Sequence, residues 1–383
     1  MKVGIIGIGN MGTVHAESFL AGKVAGMELH ALCDTDPKKI EAAKAKFGES
    51  VKYYDNDDAI FSDKAIDVMV IATPHYQHPE LSIRSLKSGF HTMCEKPAGV
   101  FTSAVAEMNA AAEKSDKLFG IMFNQRTTPI YQKLKELIDS GELGGLKRMT
   151  WIATDWYRSQ SYHDSGGWRS TWEGEGGGAL INQCPHQLDL WQWIFGMPKK
   201  IRAFCSFGKY HNIEVEDDLT AYAEYENGMT ATYIASTGEA PGTNRLEVAA
   251  DMGKVVVENG QLTFWRNRIS EREFDRTYTG GFGMPECRKC EISAEGGGSQ
   301  HIGIFQNFAD AILKGGKLLS PGYEGIKGLT LSNAIHLSAW TDTWVELPID
   351  EALYYEKLQE RIKNSTYVKK SGVDRVLNVW GTH

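Results

Sequence analysis

The stretch Lys2-Val3-Gly4-Ile5-Ile6-Gly7-Ile8-Gly9-Asn10-Met11-Gly12 decides the fold. An apolar run, Val3–Ile8, passes through glycines into the amphipathic segment Met11–Leu20, which reads as a buried strand, a tight turn and a helix. Gly7, Gly9 and Gly12 stand in G-x-G-x-x-G spacing, a weak signal alone and a strong one between a strand and a helix. The first glycine allows the turn and the second lets backbone N–H groups approach a pyrophosphate. The third lets helix pack on strand, so that the helix start at Asn10 and Met11 faces the anion. Asp34, followed by Thr35, ends the next predicted strand, Glu28–Cys33. A carboxylate there accepts from both adenosine ribose hydroxyls and repels a 2′-phosphate, and no arginine follows directly. NAD is therefore expected over NADP.

Further apolar runs at Val68–Ala72, Phe90–Cys94 and Phe119–Phe123 alternate with amphipathic Pro37–Lys46 and Pro79–Ser88. That alternation predicts an α/β Rossmann domain, a parallel sheet covered on both faces, over residues 1–125. After a helix at Pro129–Ser140 the pattern changes. Lys147–Thr154, Ile201–Phe207, Asp218–Tyr225, Met229–Thr237, Arg245–Ala250 and Lys254–Glu258 read as half-polar strands, and Asn227-Gly228 is a hairpin turn. Helices return at Gln300–Lys314 and Gly328–Trp344. Residues 126–348 are thus expected to form a second domain built on an antiparallel sheet with one exposed face. Residues 349–383 form a tail whose Tyr354–Lys363 reads as a charged helix, either an arm on a neighbouring subunit or a solvated helix.

Of 383 residues, 42% are hydrophobic and 23% charged, which excludes wholesale disorder. A net charge of −8 argues against a phosphate-backbone partner. No apolar run approaches the roughly 18–20 residues of a membrane span, and the glycine-broken N-terminus is not that of a signal peptide. Six cysteines in so long a chain make no disulfide framework. Cys287 and Cys290 form one C-x-x-C without a second pair; even with His301 a zinc site lacks a ligand, so a loop with reduced thiols and no metal is expected. The expected compartment is reducing cytosol.

Thr73-Pro74-His75-Tyr76-Gln77-His78, Cys94-Glu95-Lys96-Pro97 and Asn124 lie at the carboxyl ends of predicted strands, where an open α/β sheet binds its ligand. A lone lysine there is more often a surface residue. Downstream, Glu173-Gly174-Glu175-Gly176-Gly177-Gly178 leads into Asn182 and His186. A helix over Gly178–Phe195 would put those two one turn apart on one face, though Pro185 should kink or restart it. A histidine merely packing the helix is an equal alternative.

In this order and spacing, the glycine motif, Thr-Pro-x-x-x-His, Glu-Lys-Pro and Gly-Gly-Gly…His-x-x-Asp resemble the Gfo/Idh/MocA family, of the glucose–fructose oxidoreductase and inositol dehydrogenase type, over roughly residues 1–345. The resemblance implies NAD(P)-dependent oxidation of a sugar or polyol hydroxyl. For residues 126–348 it implies a C-terminal α/β domain with a large, mainly antiparallel open sheet that binds substrate and mediates oligomerisation, as a homodimer or homotetramer. It also implies that Lys96 and His186 are catalytic and that Glu95 reaches the nicotinamide ribose. Many members carry Asp where this chain has Asn182, which can hold a hydroxyl or orient His186 but takes no proton.

Trp151, Trp156, Tyr157, Tyr162, Trp168 and Trp172, interspersed with Arg158, His163 and Arg169, suit the faces and hydroxyls of a sugar, although aromatics more often fill a core. Without clustered lysines and arginines, an unphosphorylated sugar, cyclitol or glycoside is expected, with glucoside C3 one candidate. Two alternatives remain: an NAD-dependent glycosidase that oxidises C3 transiently and eliminates the aglycone, and a non-enzymatic NAD-sensing regulator. No DNA-binding element is appended to serve the latter.

Overall fold

The computed structural model describes residues 1–294 and 296–369. Six strands, β1 (Lys2–Ile6), β2 (Glu28–Cys33), β3 (Lys52–Tyr54), β4 (Val68–Ile71), β5 (His91–Cys94) and β6 (Phe119–Ile121), form a parallel sheet in the order β3-β2-β1-β4-β5-β6. Strands buried on both faces need near-continuous apolar sequence, and all four residues of β4 are buried. The order reverses at β1 and β4, so the crevice for a ligand opens at their carboxyl ends. Asp36 starts the helix Pro37–Phe47 by accepting from the Lys38 N–H at 2.9 Å, with proline in the first turn.

The second sheet has nine strands: β7 (Leu146–Ala153), β8 (Lys200–Phe207), β9 (Glu216–Glu224), β10 (Thr230–Ser236), β11 (Asn244–Ala250), β12 (Gly253–Glu258), β13 (Gln261–Asn267), β14 (Cys287–Ile292) and β15 (Val345–Glu346). Their order is β14-β13-β12-β11-β7-β10-β9-β8-β15, antiparallel except where β7 pairs with β10. Residues of one parity are buried under the helices Pro129–Asp139, Pro185–Phe195 and Gly325–Thr341, while the other parity faces outward. The β9–β10 hairpin turns at Gly228, whose φ of +84° suits glycine.

The helix Gln300–Lys314 returns to the first sheet, where Phe305 and Phe308 join Val3, Ile5 and Val70 in one core. Two expectations are corrected. The tail helix, Glu351–Asn364, is not a solvated helix: Tyr354 and Leu358 are fully buried in the second domain's core, because apolar residues four apart form a stripe among the charges. Residues 370–383 lie outside the described residues. Cys287 and Cys290 are not in a loop but on the edge strand β14, and residues three apart on a strand point to opposite faces. Among the described residues no group of three or more His, Cys, Asp or Glu side chains could hold a metal, and no helix is long and apolar enough to cross a membrane.

Candidate active site

The glycine loop has the shape its spacing requires. Gly7 has φ +98°, and a Cβ there would meet the Ala72 carbonyl oxygen at 2.5 Å. A Cβ on Gly12 would lie 1.9 Å from the Gly7 oxygen, while around Gly9 the space is open. Asn10 and Met11 begin the helix Asn10–Leu20. Asp34 is buried at the end of β2. Its carboxylate accepts from Ile8 N–H at 2.8 Å and Asp36 N–H at 3.0 Å, arching over Thr35 and fixing the loop to the strand. Lys39 donates to the same carboxylate at 3.4 Å, a cation the sequence reading missed because it lies a helical turn further on.

Two buried polar atoms along the same edge, Thr73 Oγ1 and Asn124 Oδ1, have no partner among the described residues. Buried polar atoms are normally satisfied, so these orphans, with the open space at Gly9, fit a bound dinucleotide. Asn124 is held by donating Nδ2 to Gln300 at 2.7 Å. Pro74 leads in extended conformation into the turn His75–Gln77. His78 behaves otherwise than expected of a cofactor contact. Its nitrogens stand 2.7 Å from the carbonyl oxygens of Thr73 and Pro97, so the ring ties together the turns after β4 and β5.

Glu95 contacts His15 Nε2 at 2.6 Å, both side chains buried. Burial alone would raise this carboxyl, but His15, His301 and Lys96 outweigh it and hold it down at about 2. His15 stands in the helix that the glycine motif opens, and no spacing rule singled it out.

Lys96 donates 2.8 Å to the backbone carbonyl of Asn182, joining the end of β5 to the second domain. Burial pushes its ammonium down to about 8; Glu95 and Glu175 resist that shift and Arg169 and Arg158 add to it. The expected continuous helix is two: Ala179–Asn182, then Pro185–Phe195 with Pro185 in its first turn. The proline thus restarts the helix instead of kinking it, since its missing N–H belongs among the unpaired donors of a helix start. Glu216 on β9 accepts from the N–H groups of Gly178 (2.9 Å) and Leu180 (2.8 Å) and pairs with His336 at 2.9 Å, all buried. A Cβ on Gly178 would meet the Glu216 oxygen at 2.1 Å, which is why the glycine run can lie against β9. His186, in the first turn of the restarted helix, is buried with its ring 6.1 Å from that of Trp156.

The aromatic candidates divide. Trp151 and Trp172 are core residues. Tyr157 is half exposed, and Arg158 lies over the rings of Trp156 and Tyr162 at 5.6 and 5.1 Å. Arg169 covers Tyr162 and Trp168 at 4.7 and 4.6 Å, and Trp168 meets His75 edge-on at 5.1 Å. His163 is buried against Ser170 (2.8 Å) and the His211 ring (4.5 Å), and burial keeps it neutral, down to about 3. Glu175, which no motif singled out, is buried beside Asn182 and Arg169. Lys369 also reaches this place, donating to the Arg169 carbonyl at 2.6 Å. Cations separated in sequence therefore gather in space.

A family model described as an oxidoreductase family with an NAD-binding Rossmann fold matches residues 1–123, and one for the GFO/IDH/MocA C-terminal domain matches residues 131–256. Levoglucosan dehydrogenase of Pseudarthrobacter phenanthrenivorans is 25% identical, over 91% of this chain and 98% of its own. D-glucoside 3-dehydrogenase of Escherichia coli is 28% identical, over 60% of this chain and 68% of its own. Among solved structures, the WlbA dehydrogenase of Chromobacterium violaceum, in complex with NADH and UDP-GlcNAcA, superposes with a TM-score of 0.78 at 25% identity, covering 91% of this chain and 96% of that one.

Proposed function

This chain belongs to the Gfo/Idh/MocA family of NAD-dependent oxidoreductases, and we propose that it oxidises a ring hydroxyl of an unphosphorylated sugar, cyclitol or glycoside. The observation that carries the proposal is the Lys96–Asn182 contact, which sets a half-buried lysine of the dinucleotide domain against the residue one turn before His186 of the other.

When bound, NAD supplies the hydride acceptor. Gly7, Gly9 and Gly12 with the N–H groups of Asn10 and Met11 hold its pyrophosphate, and Asp34 with Thr35 its adenosine ribose. Thr73, Pro74, Glu95 and Asn124 line its nicotinamide end. Lys96 donates to the substrate oxygen and stabilises negative charge there as the proton leaves. His186 takes that proton, as an imidazole can near neutral pH. Asn182 holds a neighbouring hydroxyl and so keeps the reacting one in register, and Tyr157, Arg158, His163 and Trp168 line the sugar side. Relatives that act on levoglucosan and on D-glucosides support a carbohydrate substrate. A homo-oligomer and a reducing, cytosolic setting complete the proposal; the latter is supported by Cys33, Cys94 and Cys184, which are buried and free.

Incubating the protein with NAD+ and a panel of glycosides, cyclitols and free sugars tests this. NADH accumulation is expected. Aglycone release without NADH would point to the glycosidase reading instead, and binding without turnover to a sensor.

A further inference from the structure

The carboxylate of Glu175 is 3% exposed and spans two parts of the site. Ser170 N–H donates to one oxygen at 2.5 Å, Asn182 Nδ2 donates to the other, and the Arg169 guanidinium stands 3.9 Å away. Both oxygens accept; burial raises this carboxyl, and Arg169, the Ser170 N–H, Asn182 and Lys369 oppose the rise and favour the charged form. We propose that Glu175 is the positioning carboxylate of this active site: it locks the Asn182 carboxamide in one orientation and, beside Glu95, is a second counter-charge to Lys96.

The first half follows from hydrogen-bond chemistry. A carboxamide carries donors on one side and an acceptor on the other. Glu175 takes a donor, so Asn182 has its oxygen to offer, and a substrate hydroxyl beside the reacting one, whose own proton goes to His186, must donate to it. That fixes which way the hydroxyl proton points around Asn182.

The second half follows from the charges around Lys96. Arg158 and Arg169 face it from the loop before the glycine run, His75 and His78 from the turn after β4, and Cys184 from beside Asn182. Glu95 and Glu175 oppose them, and Glu95 already shares its charge with His15. Asn182 lies between the remaining pair, its main-chain oxygen on Lys96 and its side-chain nitrogen on Glu175. Glu95 is the larger of the two counter-charges, and Glu175 adds to it from the Asn182 side against the two guanidiniums in keeping Lys96 protonated.

The catalytic consequences rest on the dehydrogenase reading, so one readout is independent of turnover. Lys96 is labelled with acetic anhydride across a pH series in the full-length protein, and the extent is read by peptide mass spectrometry. In Glu175→Gln the Lys96 midpoint should fall by on the order of one pH unit, a tenfold change in its proton affinity. In turnover, Glu175→Gln should lose about tenfold or more in kcat while NADH affinity stays within about twofold. The double variant E175Q/N182D, which moves the carboxylate to the neighbouring position, should recover most of that loss. Asn182→Asp alone, with two carboxylates in contact, should not be active at the parent rate. Should Glu175→Gln fail to fold, Glu175→Asp carries the orientation half: the charge stays, so the Lys96 midpoint holds, while the shorter reach lowers kcat. An unmoved midpoint in Glu175→Gln, a double variant no better than Glu175→Gln, or Glu175→Asp at the parent kcat would overturn the proposal. A parent that oxidises no carbinol would defeat the dehydrogenase reading and leave the labelling result to decide on Glu175.

Discussion

The Lys96 ammonium stands 2.8 Å from the backbone carbonyl of Asn182, so a charged hydrogen bond joins the two domains at the place where chemistry is expected. Lys96→Ala and His186→Ala should each lower kcat by about 10²–10⁴-fold, the usual contribution of a positioned acid or base. NADH affinity, measured by fluorescence titration, should stay near the parent value, because the pyrophosphate and adenosine contacts are untouched. A variant that keeps its rate within a few-fold would remove that residue from the mechanism.

The sign of the pH effect follows from the charge Lys96 needs. Its ammonium is held down at about 8, and the protonated form is the one that can donate to the substrate oxygen. Protonation is complete well below that value and lost as pH rises through it, so kcat/KM should fall on the alkaline side with a midpoint near 8. Lys96→Arg, whose guanidinium does not deprotonate in this range, should be slower but lack that alkaline limb. The check is a pH–rate profile of both proteins.

Asp34 should decide between the two dinucleotides. Its carboxylate would face a 2′-phosphate with like charge, while Lys39, 3.4 Å away, waits as a cation that could serve one. Asp34→Ala should therefore raise the NADP/NAD ratio of kcat/KM by on the order of tenfold or more, about 1.4 kcal/mol. Because Asp34 also accepts from Ile8 N–H, NAD turnover should fall as well. Equal use of both cofactors by the parent would defeat this account.

What could be read in advance was whatever a local pattern determines. Gly7, Gly9 and Gly12 announce a turn because only backbone atoms fit there, and the alternation in β9 and β10 announces a sheet with one covered face. Asn182 and His186 are close along the chain, so their proximity needed only a helical turn on either side of Pro185. Glu175, His15 and Lys39 were not legible, since their roles arise from contacts that folding creates. Glu175 meets Asn182 only after the glycine run has bent against Glu216, and His15 meets Glu95 only when helix and sheet pack. The edge strand β14 escaped notice for another reason. Its residues are mostly exposed, so no buried face imposes period two on Cys287–Ile292.

Glu216 ties the active-site turn to the second sheet, and its removal should register in stability. It is fully buried, accepts from Gly178 and Leu180, and pairs with His336. Glu216→Ala leaves the buried Gly178 and Leu180 N–H groups without an acceptor, at about 1–3 kcal/mol each. Denaturant unfolding should show a loss of that order, with turnover falling in parallel because Asn182 and His186 follow the turn. A loss under about 1 kcal/mol would mean that the turn holds itself.

The outward face of the nine-stranded sheet should be an interface between copies of this chain. Helices cover the other face, while Phe204 on β8 and Tyr222 on β9 remain 62% and 39% exposed. Ile152 and Ile234 share their parity on the neighbouring strands β7 and β10, where they pair directly. Apolar side chains on four successive strands, with Thr220 and Thr232 among them, form the kind of patch that marks an interaction surface. A patch that meets its own copy about a two-fold axis closes the assembly and leaves none of it exposed. Light scattering at micromolar concentration should therefore give at least twice the chain mass of 42.6 kDa. Tyr222→Asp combined with Ile234→Asp would bury charge in the centre of such a contact and should reduce the particle to a single chain. NADH affinity should survive in that variant, because the patch lies on the face opposite the helix that carries His186. A parent that scatters as one chain would refute the interface outright.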